Sequence, residues 1–146
     1  MTTPTNNLTP LTHTQGPEYT TDNHTHTRRY IITHERPGHW RLDTYKLAPQ
    51  QHTNHTSYYP IPNTLTTEHR STRTRAYAQA QLLEARTNAA EQRKAWLTAL
   101  DTLGEALEAQ TNGHEPKNLS QLIDAETNAY IAYRTAERAY QTHLTH

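Results

Sequence analysis

Arginine and histidine are the side chains through which this chain could do chemistry. Between His24 and Arg75, eight Lys and Arg residues meet only Glu35, Asp43 and Glu68, whereas from Ala76 onward carboxylates outnumber cations. The formal net charge is zero, so no long-range field draws a partner to the whole molecule. Within the basic half, Arg29 and Arg41 fall on one side of a strand pair, and Arg70, Arg73 and Arg75 stand where a long helix begins. Cations at a helix start are disfavoured by a few tenths of a kcal/mol each. Three of them together point to another use, contact with the phosphates of a nucleic acid, to which all five arginines contribute. The competing reading is an ordinary basic surface, with the helix starting later, near Arg75.

Eight of the eleven histidines come in pairs: His24/His26, His34/His39, His52/His55 and His143/His146. Zinc needs three or four ligands, each imidazole held by a further partner. No pair has a second pair at finger spacing, and no His-Glu-x-x-His occurs; "THER" offers only His34-Glu35. Solvated histidines and no bound metal are expected. A catalytic centre is no better supported. Cysteine is absent, serine occurs only at Ser57, Ser71 and Ser120, and no glycine-rich phosphate loop is present. Glu84, Glu91, Asp101, Glu105 and Glu108 alternate with Arg86, Arg93 and Lys94, the pattern of a solvated helix face. Tyr77, Tyr130, Tyr133 and Tyr140 recur at helical spacing and read as core. The expectation is a protein that is not an enzyme and takes no cofactor.

Composition narrows the class further. Only 32% of the residues are apolar, too few for one thick core but enough for a helical seam and a small sheet. Without cysteine there are no disulfides, which fits a reducing compartment. The opening "MTTPTNNLTPLTHTQ" lacks the basic and apolar blocks of a secretory leader. No run approaches the roughly 18 apolar residues of a membrane span. A cytoplasmic protein without membrane contact is expected. Valine and phenylalanine are missing, while Thr, His, Asn and Gln abound. The missing residues use codons rich in G and T, the abundant ones codons rich in A and C. That bias points to a strand-biased gene of a phage or plasmid, and it weakens any argument from the number of histidines.

The elements follow from periodicity. Residues 1–26 mix Thr, Pro, Asn and Gly with almost no apolar rhythm and read as a disordered arm, against the alternative of an edge strand near Tyr19. "RRYIITH" and "HWRLDTYKL" flank "ERPG" and predict a β-hairpin. A register with partners summing to 74 sets Ile32 opposite Leu42, His34 opposite Trp40 and Tyr30 opposite Thr44. It gathers Tyr30, Ile32, His34, Trp40 and Leu42 on one face and implies an odd-length loop, most simply of five residues. "TSYYPIPNT" carries Pro60 and Pro62 and can be an edge strand at most.

From about Thr72 the chain is dense in Ala, Leu, Gln, Glu and Arg. Leu82, Ala85, Ala89, Trp96, Ala99, Leu103 and Ala106 form a heptad-like stripe along a helix of about 40 residues. Gly113 caps its end and Pro116 follows. Asn118 and Gln121 read as a capping box for a second helix of about 26 residues, with Leu119, Leu122, Ala129, Tyr133, Ala136 and Tyr140 on one face. A break at Thr87-Asn88, folding the first helix back into a three-helix bundle, is the alternative.

The expected fold is therefore α+β. A disordered arm (1–26) precedes a small hairpin or three-stranded sheet (27–66), packed on the start of a long antiparallel two-helix hairpin (67–146). The expected function is that of a small accessory protein of a mobile element, binding nucleic acid through the basic patch. The alternative is a self-associating helical scaffold or protein-interaction module without nucleic acid.

Overall fold

The computed structural model describes residues 7–114 and 118–145, the side chain of His52 excepted. In chain order its elements are β1 (Thr12–Gln15), β2 (Glu18–Asp22), β3 (Arg28–Arg36), β4 (His39–His52), β5 (His55–Pro60), β6 (Thr66–Arg70), α1 (Arg73–Thr111) and α2 (Leu119–Leu144). The class is α+β: one six-stranded antiparallel sheet and two helices. The chain divides into two compact units, Thr5–Glu84 and a second built from Ala85–His146, with the division inside α1.

In the first unit the β3–β4 register is the expected one: Ile32 pairs with Leu42, His34 with Trp40 and Tyr30 with Thr44. One buried face enforces it, because a slip of one residue would turn every apolar side chain outward. The loop differs from expectation. It has two residues, Pro37 and Gly38, and the odd residue is absorbed by an irregularity between His34 and Arg36. Gly38 has φ +77°, the value that the third position of a Pro-Gly type II turn requires.

The arm is not disordered where it is described. β1 and β2 extend the sheet from the β3 edge, and Leu8 bridges to Asn23; residues 1–6 lie outside the described residues. Low apolar content misleads here, because threonine supplies both β-branched stiffness and hydrogen bonds. The Thr21 hydroxyl donates to the Thr9 carbonyl at 2.6 Å, and the Asp22 amide donates to the Thr9 hydroxyl at 3.1 Å. A strand does form at Tyr19, as in the competing reading, but it lies inside the sheet between β1 and β3, and β1 is the edge.

Beyond β4 the sheet is also larger than a three-stranded ribbon. β4 runs to His52, and its second half pairs with β5 from Leu47↔Pro60 to His52↔His55. Its first half pairs with β6, from Trp40↔Arg70 to Thr44↔Thr66. β6 lies in a stretch expected to belong to the helical part. The core gathers Leu8, Tyr30, Ile32 and Leu42 of the sheet layer with Ala76 and Ala80 of α1. Small residues on the helix let it lie close over the large ones of the sheet. Trp40, expected in the core, is half-buried at its margin.

In the second unit α1 continues unbroken through Thr87-Asn88. The predicted stripes are the less exposed ones: Trp96, Ala99, Leu103 and Ala106 on α1, and Leu119, Leu122, Ala129, Tyr133 and Ala136 on α2. The Trp96 indole donates to the Glu126 carboxylate at 2.8 Å and stacks on Tyr133 at 5.6 Å. Gly113, at φ +88°, ends α1. Its amide donates to the Gln110 carbonyl and the His114 amide to the Ala109 carbonyl, the paired bonds of a Schellman motif. Pro116 lies outside the described residues. Asn118 stands at the N-cap of α2 but makes no side-chain capping bond, so the expected capping box is not formed.

Candidate nucleic-acid interface

The register sorts the five arginines into two groups. Arg29 and Arg41 lie on the outer sheet face, among alternate residues that also include Asp22, Asp43 and Thr67. Each is held by an aspartate. Arg29 donates to both Asp22 carboxylate oxygens, at 2.8 and 3.1 Å. Arg41 donates to Asp43 at 3.0 Å and reaches Glu35 at 3.5 Å. Both guanidinium pKa values are raised, first by the hydrogen bond to the aspartate. Asp43 also accepts from the Thr67 hydroxyl at 2.9 Å. This face alternates in charge and is largely satisfied within itself.

Arg70, Arg73 and Arg75 are placed differently. Arg70 pairs in register with Trp40 and so shares the inner face, donating to Glu68 at 3.2 Å and to the His69 carbonyl. Arg73 and Arg75 open α1 and are exposed. Among the described residues neither is ion-paired with a carboxylate. The Arg73 guanidinium lies 4.6 Å from the centre of the Tyr19 ring, and Arg75 donates to the Ser71 hydroxyl at 3.0 Å. Arg70, expected at the helix start, thus lies on β6 instead, and the helix starts at Arg73 rather than near Arg75. Thr72 caps it by accepting the Arg75 amide at 3.1 Å.

Around these cations the inner face ends in an aromatic row. His34, exposed, stacks on Trp40 with ring centres 4.4 Å apart and planes 19° from parallel. Trp40 meets Tyr19 at 6.1 Å, and Tyr19 meets His13 at 5.1 Å. The row exists because His13, Tyr19, Trp40 and His34 occupy register positions on the same face. Helix α1 covers the middle of that face through Ala76 and Ala80 but begins at Arg73, which leaves the end uncovered. The hairpin register already sets His34 beside Trp40. Tyr19 and His13 are legible only once their segment is read as strands.

Helix α1 is fixed on the sheet, about three turns beyond its start, by a buried polar cluster that residue patterning misses. Glu84, expected on a solvated face, is 3% exposed. It accepts two bonds from the Arg28 guanidinium, at 2.7 and 2.6 Å, one from the Tyr30 hydroxyl at 3.0 Å and one from the Asn23 amide at 3.3 Å. Asn23 in turn accepts the Thr27 and Arg28 amides. Burial, then the Glu84 charge, pushes the Tyr30 phenol well above its ordinary pKa. Nearer the site, the Tyr77 hydroxyl donates to the Thr9 carbonyl at 3.1 Å. These bonds tie α1 to β3 and to the segment before β1, and so set Arg73 against Tyr19.

Among the described residues no three His, Asp or Glu side chains converge to hold a metal ion, and no helix is long and apolar enough to cross a membrane. Comparison with protein-family models, with curated proteins and with solved structures finds no match.

Proposed function

We propose that this chain is a non-enzymatic accessory protein of a mobile element that binds single-stranded nucleic acid in the cytoplasm. The interface is the uncovered end of the inner sheet face. One observation carries the reading: exposed His34 stacks on half-buried Trp40 beside Tyr19, and over the Tyr19 ring lies Arg73, which no carboxylate among the described residues neutralises. Single strands are held where bases stack on aromatic rings and phosphates meet Arg or Lys. Arg73 and Arg75 supply the phosphate contacts, with Arg70 at the margin. Arg29 and Arg41 play the lesser part, because their charges are already met. Duplex DNA is the weaker ligand, since its paired bases cannot reach the rings.

The test is fluorescence anisotropy of a labelled single-stranded oligonucleotide. Removing a stacking ring weakens binding by about 1–3 kcal/mol per base. Trp40→Leu and His34→Ala are each expected to lower affinity by that amount, and Trp96→Leu, in the second unit, to leave it unchanged. Equal losses for Trp40→Leu and Trp96→Leu, or tighter binding to duplex than to single strand, contradict the reading.

A further inference from the structure

We infer, on the reading of this face as a single-strand interface, that His34 makes binding depend on pH by taking up a proton as the strand binds. His34 is exposed and lies nearly flat on Trp40, with ring centres 4.4 Å apart and planes 19° from parallel. Its backbone amide donates to the Pro17 carbonyl at 3.1 Å, which fixes the residue on the strand. Among the described residues neither ring nitrogen has a hydrogen-bond partner, and no carboxylate is ion-paired with the ring. Other histidines of the sheet are engaged. His13 Nε2 donates to the Gly16 carbonyl at 2.7 Å, and His69 meets Glu35 at 3.2 Å. His34 is thus the imidazole of the aromatic row whose polar atoms are all available to a ligand.

Imidazole is the side chain whose charge ordinarily changes between about pH 5 and 8. Both forms stack on an indole, and the protonated one gains a cation–π attraction to it. The elements around His34 decide what that proton meets. From β1 and β2 come the His13 and Tyr19 rings. Glu18 of β2 pairs with Thr33 and so lies on the outer face. On β3 itself, Glu35 is held by Arg41 and His69, and Arg36 pairs with His39 at the hairpin tip. β4 contributes Trp40, and β6 contributes Arg70 with Glu68 bonded to it at 3.2 Å. α1 brings Arg73 over the Tyr19 ring. The face therefore offers an imidazolium cations and engaged carboxylates, but no anion of its own. A phosphate laid along the row supplies that anion. The proton is held more tightly in the complex than in the free protein, and by reciprocity the strand is held more tightly when the proton is present. Affinity rises as pH falls.

Fluorescence anisotropy with labelled oligothymidylate tests the inference, because thymine has no group that titrates in this range. The expected result is binding that tightens by about threefold or more as pH falls from about 8 to about 5.5. The salt slope should steepen by about 0.7 over the same range, one further phosphate contact. His34→Phe keeps a ring on Trp40 but takes up no proton. It is expected to match the parent at the higher pH and to lose the tightening. His34→Gln, weaker throughout, should also bind independently of pH. His39→Gln should keep the tightening, since His39 is next to Trp40 on β4 and so on the opposite face. Equal tightening in the parent and in both His34 variants overturns the inference. Binding by the parent that is unchanged or weaker at the lower pH overturns it too, and leaves the single-strand reading standing. No binding at either pH overturns both.

Discussion

Glu84 shows how one side chain can hold a helix against a sheet. Its carboxylate is buried, and Arg28, Tyr30 and Asn23 all converge on it. Removing one partner of a buried pair leaves the other charge without compensation, at about 3–5 kcal/mol. Glu84→Ala should therefore be among the most destabilising single changes in urea melts. Glu105→Ala, on an exposed stretch of the same helix, should stay within about 0.5 kcal/mol of the parent. Similar effects for the two would mean that Glu84 is not the anchor. Tyr30 carries the pH dependence of the same cluster. Its phenol is held protonated by burial and by the neighbouring carboxylate. A raised folded-state pKa gives a contribution that is complete below the unfolded value and lost as pH rises beyond it. Stability should fall once pH passes about 10, and less steeply in Tyr30→Phe. Parallel losses in the two proteins would exclude Tyr30 as the source.

At the scale of elements, the cap and the turns matter most for the site. Thr72 accepts the Arg75 amide, and Thr72→Ala should cost about 1 kcal/mol while loosening Arg73 from Tyr19. A weaker single-strand affinity in that variant, together with the small loss in thermal melts, is the expected pair of results. Unchanged affinity would show that the helix start need not be rigid. What the sequence makes legible follows the same physics. The β3–β4 register is readable because Ile32 and Leu42 must share a buried face. The two helices are readable because Ala and Leu recur at helical spacing without proline. β1, β2 and β6 are not readable from apolar rhythm, because threonine side chains replace it, with only Leu8, Leu11 and Tyr19 packing on the core from the first two and the segment before them. The turn length escapes because Pro37-Gly38 fits a tight turn only when the strand absorbs a residue. Glu84 escapes because an acidic residue on a helix looks solvated until the Arg28 strand is laid beneath it. The basic patch is legible as five arginines but not as two faces, since Asp22, which holds Arg29, lies on the neighbouring strand, and Arg70 joins the Trp40 face only once β6 is paired with β4.

At the scale of the whole molecule, a neutral chain separates two chemistries into two units. The sheet unit presents rings beside Arg73 and Arg75, which have no carboxylate partner among the described residues, and the helical unit carries its carboxylates mainly near the loop and its cations mainly at the other end. Under the proposed function, Arg73 and Arg75 contact phosphates in the first of these. Each phosphate contact on a single strand contributes about 0.7 to the slope of log affinity against log salt. The decisive measurement is that slope for a single-stranded oligonucleotide, compared between the parent and Arg73→Gln with Arg75→Gln. The double variant is expected to show a slope flatter by about 1.4 and a thermal melt nearly unchanged, and Arg93→Gln with Lys94→Gln to have no effect. No binding at about 50 mM salt, or an Arg93/Lys94 effect as large as the Arg73/Arg75 effect, would contradict this reading.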